Sequence, residues 1–107
     1  MTQNQEPLKV NGKYYPLWSQ FVQRKNEWIG GKLVNRDMGE SAETIITDIE
    51  LVPNGEDSAA FRICGEDFSF GFDVKYGGIS GEPNLPKGAI AFSSMYVGLG
   101  IIYKKEA

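Results

Sequence analysis

Histidine is absent from the 107 residues of this protein, and that absence restricts its chemistry more than any other feature. Histidine is the side chain whose unperturbed charge changes near neutral pH, which makes it the usual proton carrier in catalysis. The chain therefore has no Ser-His-Asp or Cys-His arrangement and no histidine-based zinc site. Carboxylate and tyrosine chemistry stay open, so we rank an enzyme only third among the functional hypotheses. We predict no cofactor.

Cysteine occurs once, at Cys64, which excludes an internal disulfide and gives no indication of an oxidising compartment. A reactive thiol needs an electropositive environment. Here Glu66 and Asp67 follow closely, so we predict a packed, inert thiol. The acidic turns at Glu56-Asp57 and Glu66-Asp67 do not match a calcium-binding loop, and we interpret them as solvated turns rather than a metal site.

Positive charge is also limited, because 11 lysines and arginines face 14 acidic residues, for a net charge of -3. Nucleic-acid binding generally requires a basic surface that neutralises phosphates. We therefore expect no nucleic-acid partner. The two short basic clusters, Arg24-Lys25 and Lys104-Lys105, are interpreted as solvated surface.

Apolar runs long enough to cross a bilayer are missing from the sequence. No residue from Gly88 to Tyr103 is charged, but this run is shorter than the ~20 residues needed and Ser93-Ser94 interrupts it. The polar segment from Met1 to Glu6 does not have the pattern of a signal peptide. We expect no membrane association and a cytoplasmic location.

Alternating phenylalanines are the most informative feature that is present. In the segment from Phe68 to Val74, Phe68, Phe70 and Phe72 alternate with small or polar residues, the period of a half-buried strand. Further segments with the strand pattern follow along the chain, and glycines separate them. They predict a mostly β fold of about seven antiparallel strands, as a strongly bent sheet or small barrel. We predict a single domain over 1–107, with 1–7 frayed.

The first part of the chain carries a hairpin signal and a helix signal. Asn11-Gly12 between short apolar runs favours a tight hairpin, with a simple turn as the alternative. Pro16 followed by apolar residues at helical spacing predicts one short helix over about 16–26. The alternative is a strand pair that turns at Asn26-Glu27.

The remaining elements follow from alternation and from glycine or proline clusters. We predict strands over 28–35, 44–52, 59–64 and 68–74, loops over 36–43 and 77–88, and a last strand region over 89–103. In the second of these strands we predict that Ile45, Ile49 and Leu51 share one face.

The last strand region also predicts a homodimer. Met95, Val97, Leu99 and Ile101 lie on one face, and an exposed apolar strand is a liability that pairing with a second copy removes. The other face carries glycines at 98 and 100. We expect Trp18 or Phe21 to cover them.

The aromatic residues near glycines and loops are the candidate ligand site. We predict a pocket bounded by the 77–88 loop, with Trp28, Tyr76 and Tyr96 as its walls and Asp73 or Asp48 as its polar end. A carboxylate beside aromatic rings selects cationic groups. The alternative is that these aromatics belong to the core and that the carboxylates mark the solvent face of a sheet.

Two functional hypotheses follow. The first is a non-enzymatic binding module with an aromatic-lined pocket for a small organic or cationic ligand. The second is a homodimeric structural or adaptor protein that binds another protein. A concave pocket with a carboxylate favours the first hypothesis, and a flat apolar patch favours the second.

Overall fold

The computed structural model of the protein describes residues 6–37, 40–81, 85–95 and 97–105. Within these ranges the elements in chain order are β1 (Lys9–Val10), β2 (Lys13–Tyr14), α1 (Pro16–Gln23), a 3₁₀ turn (Lys25–Glu27), β3 (Lys32–Asp37), β4 (Glu40–Pro53), β5 (Ala59–Gly65), β6 (Ser69–Asp73), β7 (Gly77–Ser80), β8 (Ile90–Ser94) and β9 (Gly98–Tyr103). The predicted fold class, mostly β with one short helix, is confirmed.

Seven of these strands form one antiparallel sheet in the order β6-β5-β4-β3-β9-β8-β7, and β1 pairs only with β2 in a small hairpin. The sheet is open, because in the described ranges β6 pairs only with β5 and β7 only with β8. The sheet is strongly bent at β4, where a bulge shifts the register between Ile46 and Asp48. The start of β4 pairs with β3 and its end pairs with β5. We call β7, β8, β9, β3 and the start of β4 the five-strand half, and the rest the three-strand half.

The two halves face each other across an aromatic core, and α1 packs into the same core. The helix contributes Trp18 and Phe21, and Trp18 stacks on Phe61 of β5 with ring centroids 4.7 Å apart. Phe72 of β6 and Phe92 of β8 complete the contacts around the Trp18 ring. Each such ring removes roughly 150–250 Å² from water, so the interior is a filled core rather than a cavity.

The sequence prediction for the first part of the chain is largely confirmed. Asn11 and Gly12 adopt φ values of 51° and 78°, the left-handed conformation that a tight hairpin turn between β1 and β2 requires. The helix is shorter than predicted, because α1 ends at Gln23 and a separate 3₁₀ turn follows. Of the segment predicted to be frayed, 1–5 lie outside the described residues, and the carbonyl of Glu6 accepts a hydrogen bond from Gln23.

The strand predicted over 28–35 begins only at Lys32, so its first four positions were wrong. Gly30 has a φ of 92°, and Gly31 packs so tightly that a Cβ atom there would stand 2.0 Å from the carbonyl oxygen of Tyr103. The two glycines form a turn whose backbone exchanges hydrogen bonds with Ile46 at the β4 bulge.

Two predicted loops are partly strand. The loop predicted over 36–43 is a hairpin connection, because β3 runs to Asp37 and β4 starts at Glu40, while 38–39 lie outside the described residues. The loop predicted over 77–88 begins with β7. The predicted placement of Ile45 on the same face as Ile49 is also wrong, since Ile45 is 43% exposed and Ile49 is buried. The bulge after Ile46 changes the phase of the alternation, so that Ile46, rather than Ile45, points inward with Ile49.

The last strand region, predicted as one strand over 89–103, is the hairpin of β8 and β9. Strand β9 lies between β3 and β8, and Ile101 is fully buried, so the face of Met95, Val97, Leu99 and Ile101 is not a continuous exposed surface. The homodimer was predicted because this face was expected to be exposed, and that reason no longer holds. The homodimer itself stays a prediction. Phe70 of β6, rather than Trp18 or Phe21, covers Gly100.

Candidate functional site

A recess beside Trp28 is a partly enclosed hollow in the described surface of the molecule. It lies where the last turn of α1 and the 3₁₀ turn meet the start of β8 and the residues after β9. Its volume is about 210 Å³, and its lining residues are Gln20, Phe21, Arg24, Glu27, Trp28, Gly88, Ile90 and Lys104. We call it the Trp28 recess. Gly88, the last residue of the predicted 77–88 loop, is among these lining residues.

Charge at the rim of the Trp28 recess is concentrated on three side chains. Glu27 accepts a hydrogen bond from Nε of Arg24 at 2.6 Å, and its other oxygen lies 3.2 Å from Nζ of Lys104. These bonds from Arg24 and then Lys104 lower the pKa of Glu27 below its ordinary value. The rim therefore carries two positive charges and one negative charge, which leaves a net charge of about +1 in a protein that is acidic overall.

The floor of the recess is apolar. Trp28 is only 4% exposed and packs against Phe21 with ring centroids 6.3 Å apart. Nζ of Lys104 lies 5.4 Å from the centre of the Trp28 ring, within the range of a cation–π contact. The ring is thus buried on one side and covered by an ammonium group on another.

Tyr76, a second predicted site residue, lies elsewhere. It is exposed beside a shallow groove of about 500 Å³ lined by Lys75, Tyr76, Gly77, Gly78, Ser93, Ser94 and Met95. Nζ of Lys75 lies 5.7 Å from the centre of the Tyr76 ring. Tyr96, the third predicted aromatic, lies outside the described residues.

Asp73 and Asp48 were predicted as alternative polar ends of the pocket. In the structure Asp73 accepts hydrogen bonds within a turn, and Asp48 forms an ion pair. Asp73 accepts hydrogen bonds from Ser58 Oγ at 2.7 Å, Asn54 Nδ2 at 2.8 Å and the backbone N–H of Lys75 at 2.8 Å. Asp48 lies 3.0 Å from Nζ of Lys25. The structure thus places the described predicted residues in separate surroundings, and their role in ligand binding stays a prediction.

Arg24 and Lys104, which are interpreted from the sequence as solvated surface, line the recess. They are 80 positions apart and meet on Glu27 because the end of β9 runs past the 3₁₀ turn. No local signal in the sequence indicates this meeting. A pattern of neighbouring residues cannot reveal a long-range ion-pair network.

Further chemistry in the described residues could come from the single cysteine or from clustered metal-ligating side chains. Burial and the nearby Glu50 carboxylate raise the pKa of the Cys64 thiol, which disfavours the nucleophilic thiolate. No group of three or more metal-ligating side chains occurs within the ranges that the structure covers. In the same ranges, no helix combines the length and apolarity that a bilayer crossing requires.

Comparison with protein-family models, with curated proteins and with solved structures finds no match to this chain. Function must therefore be inferred from the geometry alone.

Proposed function

We propose that this protein is a non-enzymatic binding module that holds a small organic acid in the Trp28 recess. The observation that supports this is the pairing of Arg24 and Lys104 with a single carboxylate, that of Glu27, at the mouth of an apolar cavity. The excess positive charge attracts an acidic group, while Phe21 and Ile90 receive the apolar body of the ligand. Apolar walls with a few polar groups are typical of ligand sites.

An acid suits this site better than the cationic ligand considered from sequence. The position over the Trp28 ring is already held by the ammonium group of Lys104. A cationic ligand would have to displace Lys104 and break its pair with Glu27. The volume of about 210 Å³ equals about seven water molecules at roughly 30 Å³ each, so the ligand is compact.

Thermal unfolding with matched ligand pairs tests the proposal. Benzoate and benzylamine share an aromatic ring and differ in the sign of their charge. We expect the acids of such a panel to raise the melting temperature, because a ligand at 100 times its Kd stabilises the folded state by ~2.7 kcal/mol. Equal or greater stabilisation by the amines would contradict the choice of an acid.

Variants locate the site. We expect Lys104→Gln and Arg24→Gln to weaken binding, while Lys9→Gln, which removes a similar ammonium 5.4 Å from the Tyr14 ring, has no effect. Ligand binding is also expected to change tryptophan emission, and Trp28→Phe to abolish that change while Trp18 still reports the fold. If no compound in the panel alters either emission or melting, the ligand-binding proposal is wrong.

A homodimeric adaptor is the second candidate, supported by an apolar patch at the β7 edge of the sheet. We define the β7 patch as Tyr76, Ile79 and Met95, of which Met95 is 76% exposed. Strand β7 ends the sheet, and neither a charged residue nor a proline protects its four positions. Exposed edges of this kind are ready to pair with another strand.

A second copy is the occupant that this edge fits. Antiparallel pairing of β7 with the β7 of another molecule sets no like charges opposite each other, because Gly77–Ser80 carries none. We expect light scattering to report about twice the chain mass and Ile79→Lys to reduce it to one. Leu17→Lys, on an exposed part of α1, is the control that keeps the dimer. A wild-type monomer at all concentrations contradicts this candidate.

A further inference from the structure

We infer that a second recess, on the other side of Lys104, binds a phosphate group. The recess has a volume of about 480 Å³ and is lined by Gly30, Gly31, Lys32, Ile45, Tyr103, Lys104 and Lys105. Three of these seven residues are lysines and none is acidic. We call it the lysine recess. It is distinct from the Trp28 recess, with which it shares only Lys104.

The fold brings these lysines together from two distant segments. Lys32 begins β3 and pairs in register with Tyr103 at the end of β9, and Lys104 and Lys105 follow directly. The Gly30-Gly31 turn lets the two segments approach closely, since a Cβ atom at Gly31 would stand 2.9 Å from the backbone nitrogen of Lys105. The sequence alone shows only a single lysine and a short basic cluster, more than 70 positions apart.

The side chains of all three lysines are positioned by neighbours. Nζ of Lys32 lies 5.1 Å from the centre of the Tyr103 ring and 3.5 Å from a carboxylate oxygen of Glu43. Lys104 is held by Trp28 and Glu27, as described above. The aliphatic stem of Lys105 runs beside Gly30, where an added Cβ atom would lie 3.1 Å from its Cδ atom.

The charge balance of the recess favours an anion. Glu43 and Glu27 each offset one ammonium group from outside the lining, while Lys105 has no carboxylate within ion-pair distance among the described residues. Counted over the described residues, this leaves about one unit of positive charge at the recess, on a protein whose net charge is -3. Charges lining a concave surface focus the field and attract ligands of the opposite sign.

Phosphate is the anion whose chemistry fits the donors. Each ammonium group is a compact charge with three rotatable N–H donors, and a phosphate offers several acceptor oxygens to more than one of them. The backbone contributes nothing here, because the N–H groups of Gly30 and Gly31 already donate to the carbonyls of Ile46 and Trp28. The site therefore depends on the lysines and differs from a glycine-rich phosphate loop.

Titration with inorganic phosphate at constant ionic strength tests the inference. We expect saturable shifts of the amide resonances of Gly30, Gly31 and Lys105 in ¹H–¹⁵N spectra, and none with chloride at the same ionic strength. In a second series of titrations, AMP and glucose 6-phosphate replace inorganic phosphate. Tighter binding of either one identifies a phosphate-bearing metabolite, whereas equal affinity identifies the phosphate group itself, and both results support the site.

Charge-removing variants supply the matched control. Lys105→Gln and Lys32→Gln should each weaken phosphate binding by about fivefold, as expected for the loss of one screened charge contact, while Lys105→Arg retains binding. Lys9→Gln removes the same charge elsewhere and should leave the affinity unchanged. Neither Lys105 nor Lys32 lines the Trp28 recess, so these variants separate this inference from the organic-acid proposal.

Three results would overturn the inference. The first is the absence of saturable shifts with any phosphate compound. The second is a loss of phosphate affinity with Lys9→Gln equal to that with Lys105→Gln or Lys32→Gln. Such a result would show a general effect of protein charge rather than a site. The third is binding of a single-stranded oligonucleotide when phosphate, AMP and glucose 6-phosphate all fail to bind, because the surface would then recognise a polyanion.

Discussion

The ring of Phe70 lies against the backbone of Gly100, so that a Cβ atom at position 100 would stand 2.7 Å from the ring. Phe70 belongs to β6 in the three-strand half and Gly100 to β9 in the five-strand half. The contact therefore sets the distance between the two halves of the bent sheet. Both residues are buried, so neither has room to shift.

Gly100→Ala should destabilise the protein by about 1–3 kcal/mol, because overpacking a filled core forces side chains from their preferred positions. Phe70→Ala should cost ~3–5 kcal/mol through the cavity it leaves. The control is Gly78→Ala on β7, where an added Cβ atom meets no atom within 4 Å. Urea unfolding of the three variants measures these differences. A Gly100→Ala variant as stable as Gly78→Ala would contradict the close contact.

The bulge in β4 predicts opposite outcomes for two adjacent isoleucines. Ile46→Ala should lower the free energy of unfolding by about 2–5 kcal/mol because Ile46 is buried. Ile45→Ala should cost less than about 1 kcal/mol, since Ile45 is largely exposed. Chemical denaturation of both variants decides the register. If Ile45→Ala were the more destabilising variant, the bulge would not lie where the structure has it.

Asp73 should make stability depend on pH in the acidic range. Burial raises its pKa, but the hydrogen bonds from Lys75, Ser58 and Asn54 outweigh burial, and the pKa lies below its usual value of 3.8. The folded state therefore holds the ionised form more favourably than the unfolded chain does. This contribution is complete above the unfolded pKa, at about pH 4 and higher, and is lost as the pH falls through the folded pKa.

Asp73→Asn should remove this pH dependence and lower stability at neutral pH by about 1–3 kcal/mol, because buried Ser58 loses a charged acceptor. Unfolding measured from pH 3 to pH 7 tests both effects. Glu56→Gln, on the exposed turn nearby, serves as the control. A wild-type and an Asp73→Asn variant with parallel pH profiles would show that Asp73 does not act in this way.

Cys64 should react slowly with iodoacetamide at pH 8. Burial and then the Glu50 carboxylate raise the pKa of the thiol, so less thiolate is present than in a free cysteine. The Sγ atom lies 3.8 Å from a carboxylate oxygen of Glu50. Glu50→Gln should therefore lower the thiol pKa and speed alkylation. Mass spectrometry follows the rate, and a wild-type rate equal to that of free cysteine would contradict the assignment.

Local signals in the sequence predicted much of the fold. The Asn11-Gly12 hairpin and the inward Phe70 and Phe72 follow from turn chemistry and from alternation, which depend only on neighbouring residues. Ile45 was assigned to the wrong face because a bulge changes the phase of alternation without a sequence signal of its own. The division of the 89–103 region into β8 and β9 was missed because Gly98 was interpreted as the interior of one continuous strand, whereas it is the first residue of β9 and its φ of 81° follows a turn in the chain.

The candidate sites were less predictable than the fold. Trp28 lines the recess that we propose as a ligand site, but the charged residues beside it come from positions 24 and 104, and sequence periodicity contains no information on such distant pairs. The lysine recess was not expected at all, since Lys32 gives no signal by itself. The lysine recess forms where the Gly30-Gly31 turn brings the start of β3 against the end of β9.

The central position of β9 has a consequence for how the chain folds. Lys32 pairs with Tyr103 across 71 positions, whereas the β3–β4 and β4–β5–β6 pairings join neighbouring segments. Closing so long a connection costs conformational entropy before any contact compensates it, which slows folding. Until β9 docks, the free edge of β3 stays open to strands of other molecules. The competition between folding and aggregation therefore depends on whether β9 or a strand of another molecule pairs first with the free edge of β3.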